Sequence, residues 1–288
     1  MTDGFLVIDK PAGWTSHDAV ARCRKVFGQK RVGHAGTLDP DATGVLLVGL
    51  GRATRLLKFV GDLEKAYVGE VVLGTATNTL DASGDVTGTW EMGAVGLEDV
   101  RVAAAGFVGD IEQIPPMVSA VQVGGQRLHA LARKGIEVER APRPVTVHSF
   151  NVTGEPEPGV FSVDVVCSTG TYIRTLAADV GTALGGGAHL RNLRRRAIGP
   201  FAVSEAVPLE ELTVEAAKPM ADLVVHLPSV TVDAAGLDAV AHGRPLFDET
   251  FIGLVSDRVA VLDEAGELVA VYEPKGESLV ADVVLLSG

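Results

Sequence analysis

One aspartate stands in a setting suited to chemistry. Asp39 lies between Leu38 and Pro40 in the glycine-rich stretch Gly33-His34-Ala35-Gly36-Thr37-Leu38-Asp39-Pro40-Asp41-Ala42-Thr43-Gly44. Proline steers the residue before it out of the α region, so Asp39 is expected in extended backbone on a loop. Gly33, Gly36 and Gly44 let the chain approach a ligand closely. A carboxylate held still on such a loop can serve as a nucleophile or exchange a proton with a reacting group. Aspartate before proline also simply opens turns, and the local residues leave both accounts open. Glycoside hydrolysis typically uses two carboxylates. Asp41 is near, but residues two apart with a proline between them need not face one substrate.

The flanking elements must hold this loop. Ser16 is a candidate N-cap, with Asp18 in the first turn, for a helix whose Ala19, Val20, Cys23, Val26 and Phe27 recur on one face and which Gly28 stops. Arg22, Arg24 and Lys25 point away from that face and, with Lys30 and Arg31, form a basic group before the Asp39 loop. Residues 45–48 are continuously apolar, which fits a buried strand anchoring the far end of the loop. Residues 67–73 are a second strand candidate, and Leu97, Val100, Ala104, Phe107 and Val108 mark a helix. Residues 161–167 alternate with period two, and from Ile173 the spacing becomes helical. Tyr172 and Arg174 thus fall at a strand-to-helix junction, off the apolar face, where a helix start suits anions and active-site groups. Beyond Pro200 the chain turns acidic. A connector over residues 224–232 and a hairpin across Asp263-Glu264-Ala265-Gly266 predict a small β-rich unit over residues 229–288, after a catalytic domain over residues 1–228.

At 288 residues with 47% hydrophobic composition, the chain has ample material for a core. No apolar run reaches membrane-spanning length and no secretory leader pattern opens the chain, so a cytoplasmic location is expected. Cys23 and Cys167 show neither CxxC spacing nor a histidine cluster, which predicts buried thiols and no metal site. The net charge of −12 seems to argue against a nucleic-acid partner. Its distribution reverses that. Residues 1–60 carry nine basic and five acidic groups, whereas residues 201–288 carry four and sixteen. Positive charge is concentrated where the motifs lie, and an RNA-facing surface is expected there.

Six stretches carry a resemblance: Leu6-Val7-Ile8-Asp9-Lys10-Pro11-Ala12-Gly13, Lys65-Ala66-Tyr67, residues 74–84, Gln113-Ile114-Pro115-Pro116-Met117-Val118-Ser119-Ala120, Gly170-Thr171-Tyr172-Ile173-Arg174 and Leu193-Arg194-Arg195. Together with the Asp39 stretch, and in this order, they make the chain similar to the TruB family of pseudouridine synthases, which modify the uridine at position 55 in the TΨC arm of tRNA. The resemblance implies an α+β fold with a mixed, largely antiparallel central sheet, flanking helices and a small PUA-like carboxy-terminal domain. It implies tRNA as the partner, no guide RNA, no cofactor and a monomer. Asp39 becomes the catalytic carboxylate; attack at ribose C1′, addition to C6 of the base and proton abstraction from the ribose all stay open. Arg174 is expected to pair with Asp39 bidentately and keep it ionised. Tyr67 would stack on the flipped base and Tyr172 line the same pocket. His34 would help occupy the space vacated by the base, and Leu193 would close over it. Arg194 and Arg195 become candidates to grip phosphate, and Lys10 a structural link to the loop. Gln122 and His129 depart from the family's usual lysine and tyrosine. The acidic carboxy-terminal unit either contacts RNA or packs on the catalytic domain. An RNA-binding folding factor is the second reading.

Overall fold

β1 (Gly4–Lys10) is buried at every position except Asp9, as suits a strand covered on both faces. The computed structural model describes residues 1–286 apart from 120, 121, 133, 247–256 and 277, and without the side chains of 123, 127, 129 and 130. Ala120 of the fourth motif and the His129 side chain therefore lie outside the described residues.

Helix α1 (Ser16–Phe27) starts one residue earlier than Ser16 would set as a cap. Thr15 is the N-cap: its hydroxyl accepts from Asp18 N at 3.1 Å, while its own N–H reaches Asp18 Oδ2 at 3.0 Å. This reciprocal capping box frees Ser16 to be buried elsewhere. Gly28, at φ 61°, ends the helix in the left-handed conformation.

The chain continues through β2 (Val32–Ala35), β3 (Thr43–Leu50), β4 (Lys65–Leu73), α2 (Leu97–Ala105), β5 (Gly109–Gln113), β6 (Arg143–Glu157), β7 (Val160–Cys167), α3 (Ile173–Ala183), β8 (Ala188–Ile198) and β9 (Val207–Pro208). These strands form one sheet in the order β9-β1-β3-β8-β4-β7-β6-β5, with β2 beside β3 and a short Phe201–Ala202 strand beside β8. β1 with β9 and β3 with β8 are parallel; the other pairs are antiparallel, so the sheet is mixed and largely antiparallel.

Period-two alternation distributes the apolar side chains between two layers. Leu6, Ile8, Leu46 and Val48 pack with Ala19, Val20 and Cys23 of α1, whereas Phe5, Val7, Val45 and Leu47 pack on the opposite face. That opposite face is covered by the carboxy-terminal sheet of β10 (Ser229–Thr231), β11 (Val259–Leu262), β12 (Leu268–Lys275) and β13 (Ser278–Val284), through Ala260, Val271, Val283 and Leu285. Basic side chains reinforce the contact. Arg52 donates to the Leu285 carbonyl and pairs with Asp3 at 2.8 Å; Arg55 donates to the Val284 carbonyl; Lys58 pairs with Asp282. Three of the nine cations in residues 1–60 thus face protein rather than an RNA surface. Among the described residues, no helix is long and apolar enough to cross a membrane.

β8 is the central strand. Its Arg194 and Arg195 pair in register with Thr43 and Gly44 on one side and with Val68 and Tyr67 on the other. Gly44 sits at φ 100°, and a Cβ there would lie 2.1 Å from the Arg195 carbonyl oxygen. Gly44→Ala is therefore expected to cost about 2–4 kcal/mol of stability, from backbone strain and a rigid clash, as read by denaturant unfolding.

Candidate active site

The Asp39 loop is tied down on three sides. Ser16 Oγ accepts from Leu38 N at 2.9 Å and donates to Leu38 O at 3.2 Å. Lys10 Nζ donates to the carbonyls of Pro40 at 3.0 Å, Trp14 at 2.6 Å and Pro11 at 2.9 Å, and Gly13 N also reaches Pro40 O. Leu38 and Ala42 point down into the core. The Asp39 side chain is left facing outward, 40% exposed. The Lys10 ammonium is buried, and burial lowers its pKa to about 8 against the opposing pull of Asp41 and Asp39.

Arg174, at the start of α3, reaches Asp39 Oδ2 from Nε at 3.0 Å. Its other nitrogens are engaged elsewhere: Nη1 donates to Thr79 O and Nη2 to Val118 O, each at 2.8 Å, and Nη1 lies 3.6 Å from Asp81 Oδ2. The contact with Asp39 is thus single, not the expected bidentate fork. Nor does Arg174 lie on a polar face. Its side chain is 5% exposed, packed under the loop it orients.

These groups border a cavity of about 190 Å³ lined by Asp39, Asp41, Ala42, Asp81, Ala82, Ser83, Arg174 and residues 190–193. Leu193 reaches it because β8 bulges: its register against β4 shifts between Arg191 and Arg194, and Asn192 adopts φ 54°. Asp81 is the group the sequence reading left without a role. Its Oδ1 accepts from Thr79 Oγ1, Ser83 N and Ser83 Oγ, which leaves Oδ2 for Arg174. The Asp-Ala-Ser-Gly order is an Asx-turn signal that could have flagged a fixed carboxylate. Asp41 lines the same cavity, although its spacing from Asp39 left that open. Among the described residues, no grouping of three or more His, Cys, Asp or Glu side chains is placed to hold a metal.

The model of the TruB family pseudouridylate synthase N-terminal domain matches residues 24–173, and that of the tRNA pseudouridylate synthase B C-terminal domain matches residues 174–224. The chain belongs to the TruB family. It is similar to the tRNA pseudouridine synthase B of Rhodococcus jostii (44% identical, covering 95% of this chain and 90% of that one). It is also similar to that of Symbiobacterium thermophilum (48% identical, covering 84% and 82%). Among solved structures it resembles a chain of a Cbf5-Nop10-Gar1 complex, with a TM-score of 0.74 and 30% identity over 98% of this chain and 84% of that one. A chain of an H/ACA RNP bound to a substrate RNA containing 2′-deoxyuridine gives a TM-score of 0.73 at 27% identity over 99% and 85%. This TruB-family protein is an isomerase that converts uridine in tRNA to pseudouridine.

Not every expected site residue borders the cavity. Tyr67 lies beneath Asp39, in the core with Leu38 and Leu193, and burial raises its pKa. Tyr172 caps α3, its N–H and C=O both held by the Gln113 amide. His34 stands on β2 with its ring edge-on to His17 at 5.5 Å; burial lowers its pKa, and its Nδ1 has no hydrogen-bond partner among the described residues. The two arginines proposed to grip phosphate need correction. Arg194 presents its fork to Asp9, at 3.0 and 2.6 Å, so its donors already have a carboxylate. Arg195 is 1% exposed and cannot reach a phosphate from where it lies.

Opposed influences act on the Asp39 carboxyl. Burial pushes its pKa above the ordinary value and Asp81 adds to this, while Arg174 and Lys10 pull it down without cancelling the rise. Ionising Asp39 therefore costs stability. Its contribution is fully present below the ordinary aspartate range and is lost as pH rises through the raised pKa. Arg174 is the largest opposing influence, so Arg174→Gln should move the acid limb of the kcat/KM profile to higher pH. At neutral pH the rate should fall about 10²-fold or more. A limb left in place would mean that Asp39 does not set it.

Proposed function

We propose that the substrate is the uridine at position 55 in the TΨC loop of tRNA, and that Asp39 is the carboxylate on which the reaction depends. The Asp39–Arg174 contact in the wall of the cavity carries this reading. The isomerisation breaks the bond from N1 of uracil to the ribose, turns the base and joins C5 in its place. Atoms are conserved, so the chemistry calls for no net redox step or external group donor. A reacting group is needed beside the ribose, and Asp39 is the partly exposed carboxylate held rigidly enough to serve.

The target base is stacked within a folded loop and must be swung out, at a cost of a few kcal/mol. The apolar part of the cavity, from Ala42, Ala82, Leu190 and Leu193, is suited to enclose it and exclude water. In this reading Leu193 closes over the base, Tyr67 supports it from below, Tyr172 borders the pocket once RNA is bound, and His34 fills the vacated place in the loop. The unpartnered His34 Nδ1 is a free polar group for such a contact. The enzyme acts on tRNA directly, without a guide RNA, as a cytoplasmic monomer.

Tritium release from tRNA transcribed with C5-tritiated uridine tests the reading. Wild-type enzyme should release label, and Asp39→Asn should lose about 10³-fold or more of that rate while still binding tRNA. Reverse-transcription mapping after pseudouridine-specific modification should place the product at position 55. Comparable release by Asp39→Asn would exclude Asp39, and a product elsewhere would exclude the assigned loop. Tyr67→Phe should keep binding and lose turnover if the hydroxyl takes part in proton transfer.

A further inference from the structure

Arg195 is among the largest fully buried side chains in the protein, and its guanidinium has no carboxylate within 4 Å among the described residues. A buried charge is ordinarily paired because removing it from water is costly. The charged groups near it include two further cations: Lys10 and Lys65 both have their pKa lowered to about 8, by burial first and with Arg195 contributing. An uncompensated cation kept in this position points to a task.

Its contacts indicate which task. Nε donates to Val45 O at 2.7 Å and Nη2 to Gly36 O at 2.8 Å. Gly36 lies three residues before Asp39 and Val45 six after, so one guanidinium spans both ends of the catalytic loop. A Cβ on Gly36 would approach Nη1 to 3.4 Å, which shows how closely the loop backbone lies on it. On its other side Arg195 is the register partner of Tyr67, so the two buried side chains stand beside one another on one face of the sheet. The guanidinium has donors only, so towards it the phenol oxygen can only accept, with the Tyr67 proton pointing away.

We propose that Arg195 is a positioning residue for the isomerisation: it clamps the two ends of the Asp39 loop and fixes the Tyr67 hydroxyl with its proton directed towards the reacting groups. This rests on the reading of Asp39 and Tyr67 given above. Arg195 also places a positive charge beside Tyr67, whereas Cys167 on β7 and Asp39 on the loop both disfavour a phenolate there.

A double-mutant cycle separates this role from scaffolding. Arg195→Lys keeps the charge but loses the fork. It should lower kcat about tenfold or more, with KM for tRNA within about twofold of wild type. In a Tyr67→Phe background the same substitution should change kcat by less than about threefold, because the hydroxyl it acts through is gone. Arg195→Gln, which removes the charge, should be worse than Arg195→Lys. Equal loss in the two backgrounds, or loss confined to KM, overturns the proposal. The contact is also readable with Arg195 intact: its exchange-protected guanidinium resonances should shift in Tyr67→Phe, and unmoved resonances overturn the proposal even if the Arg195 variants do not fold. Failure of the proposed function looks different, because Asp39→Asn would then remain active whatever Arg195 does.

Discussion

The guanidinium of Arg174 joins its own helix start to three other parts of the chain that are far apart in sequence. It reaches the Asp39 carboxylate, the turn that holds Thr79 and Asp81, and the carbonyl of Val118. A buried arginine must satisfy its donors, and the fixed fork geometry admits few ways to do so. Two nitrogens are taken by main-chain carbonyls, and Nε is the one left beside Asp39, 3.0 Å from Oδ2. The segments around residues 79 and 118 are thereby held against the start of α3. The cavity takes its shape from that arrangement.

Asp39 is consequently under opposed influences. The same closeness that lets Arg174 orient it also removes water, and desolvation outweighs the attraction, so the carboxyl holds its proton more tightly than an ordinary aspartate. Asp81 adds to this because both carboxylates share one cation. A site that destabilises its own charged carboxylate holds a more basic and more reactive group, which suits proton transfer or nucleophilic attack alike. Rigidity completes the arrangement, since Ser16, Lys10 and Gly13 hold the backbone on either side of Asp39.

The distribution of positive charge has a different meaning in three dimensions from its meaning along the chain. Several arginines and lysines of the first sixty residues serve the protein itself: Arg24 caps the Val32 carbonyl, Arg52, Arg55 and Lys58 hold the carboxy-terminal strand, and Lys10 sits inside the fold. The acidic carboxy-terminal sheet packs on the catalytic sheet through Ala260, Val271, Val283 and Leu285, so its Asp282 is a partner for nearby cations. Arg22, Lys25 and Lys30 remain to face solvent or RNA.

Much was legible in the linear pattern because it is local. The stop of α1 at Gly28, the alternation of β7, the buried run of β3 and the change of spacing at Ile173 each follow from a few neighbouring residues whose backbone preferences and apolar period agree. The motifs likewise pointed to Asp39, Arg174 and Leu193, and these three do border one cavity. What stayed hidden depends on non-local pairing. Thr15 rather than Ser16 caps α1, because Ser16 is drawn to a backbone group 22 residues away. The β8 bulge that delivers Leu193, the burial of Arg195 between Gly44 and Tyr67, and the role of Asp81 arise only when β8 inserts between β3 and β4. The sequence by itself determined the local elements and the family, since both rest on residue type and short-range pattern. Tertiary structure alone decided that Arg174 offers Asp39 a single nitrogen, that Arg195 is buried beside Tyr67 and that Arg194 meets Asp9, because register and burial set those distances.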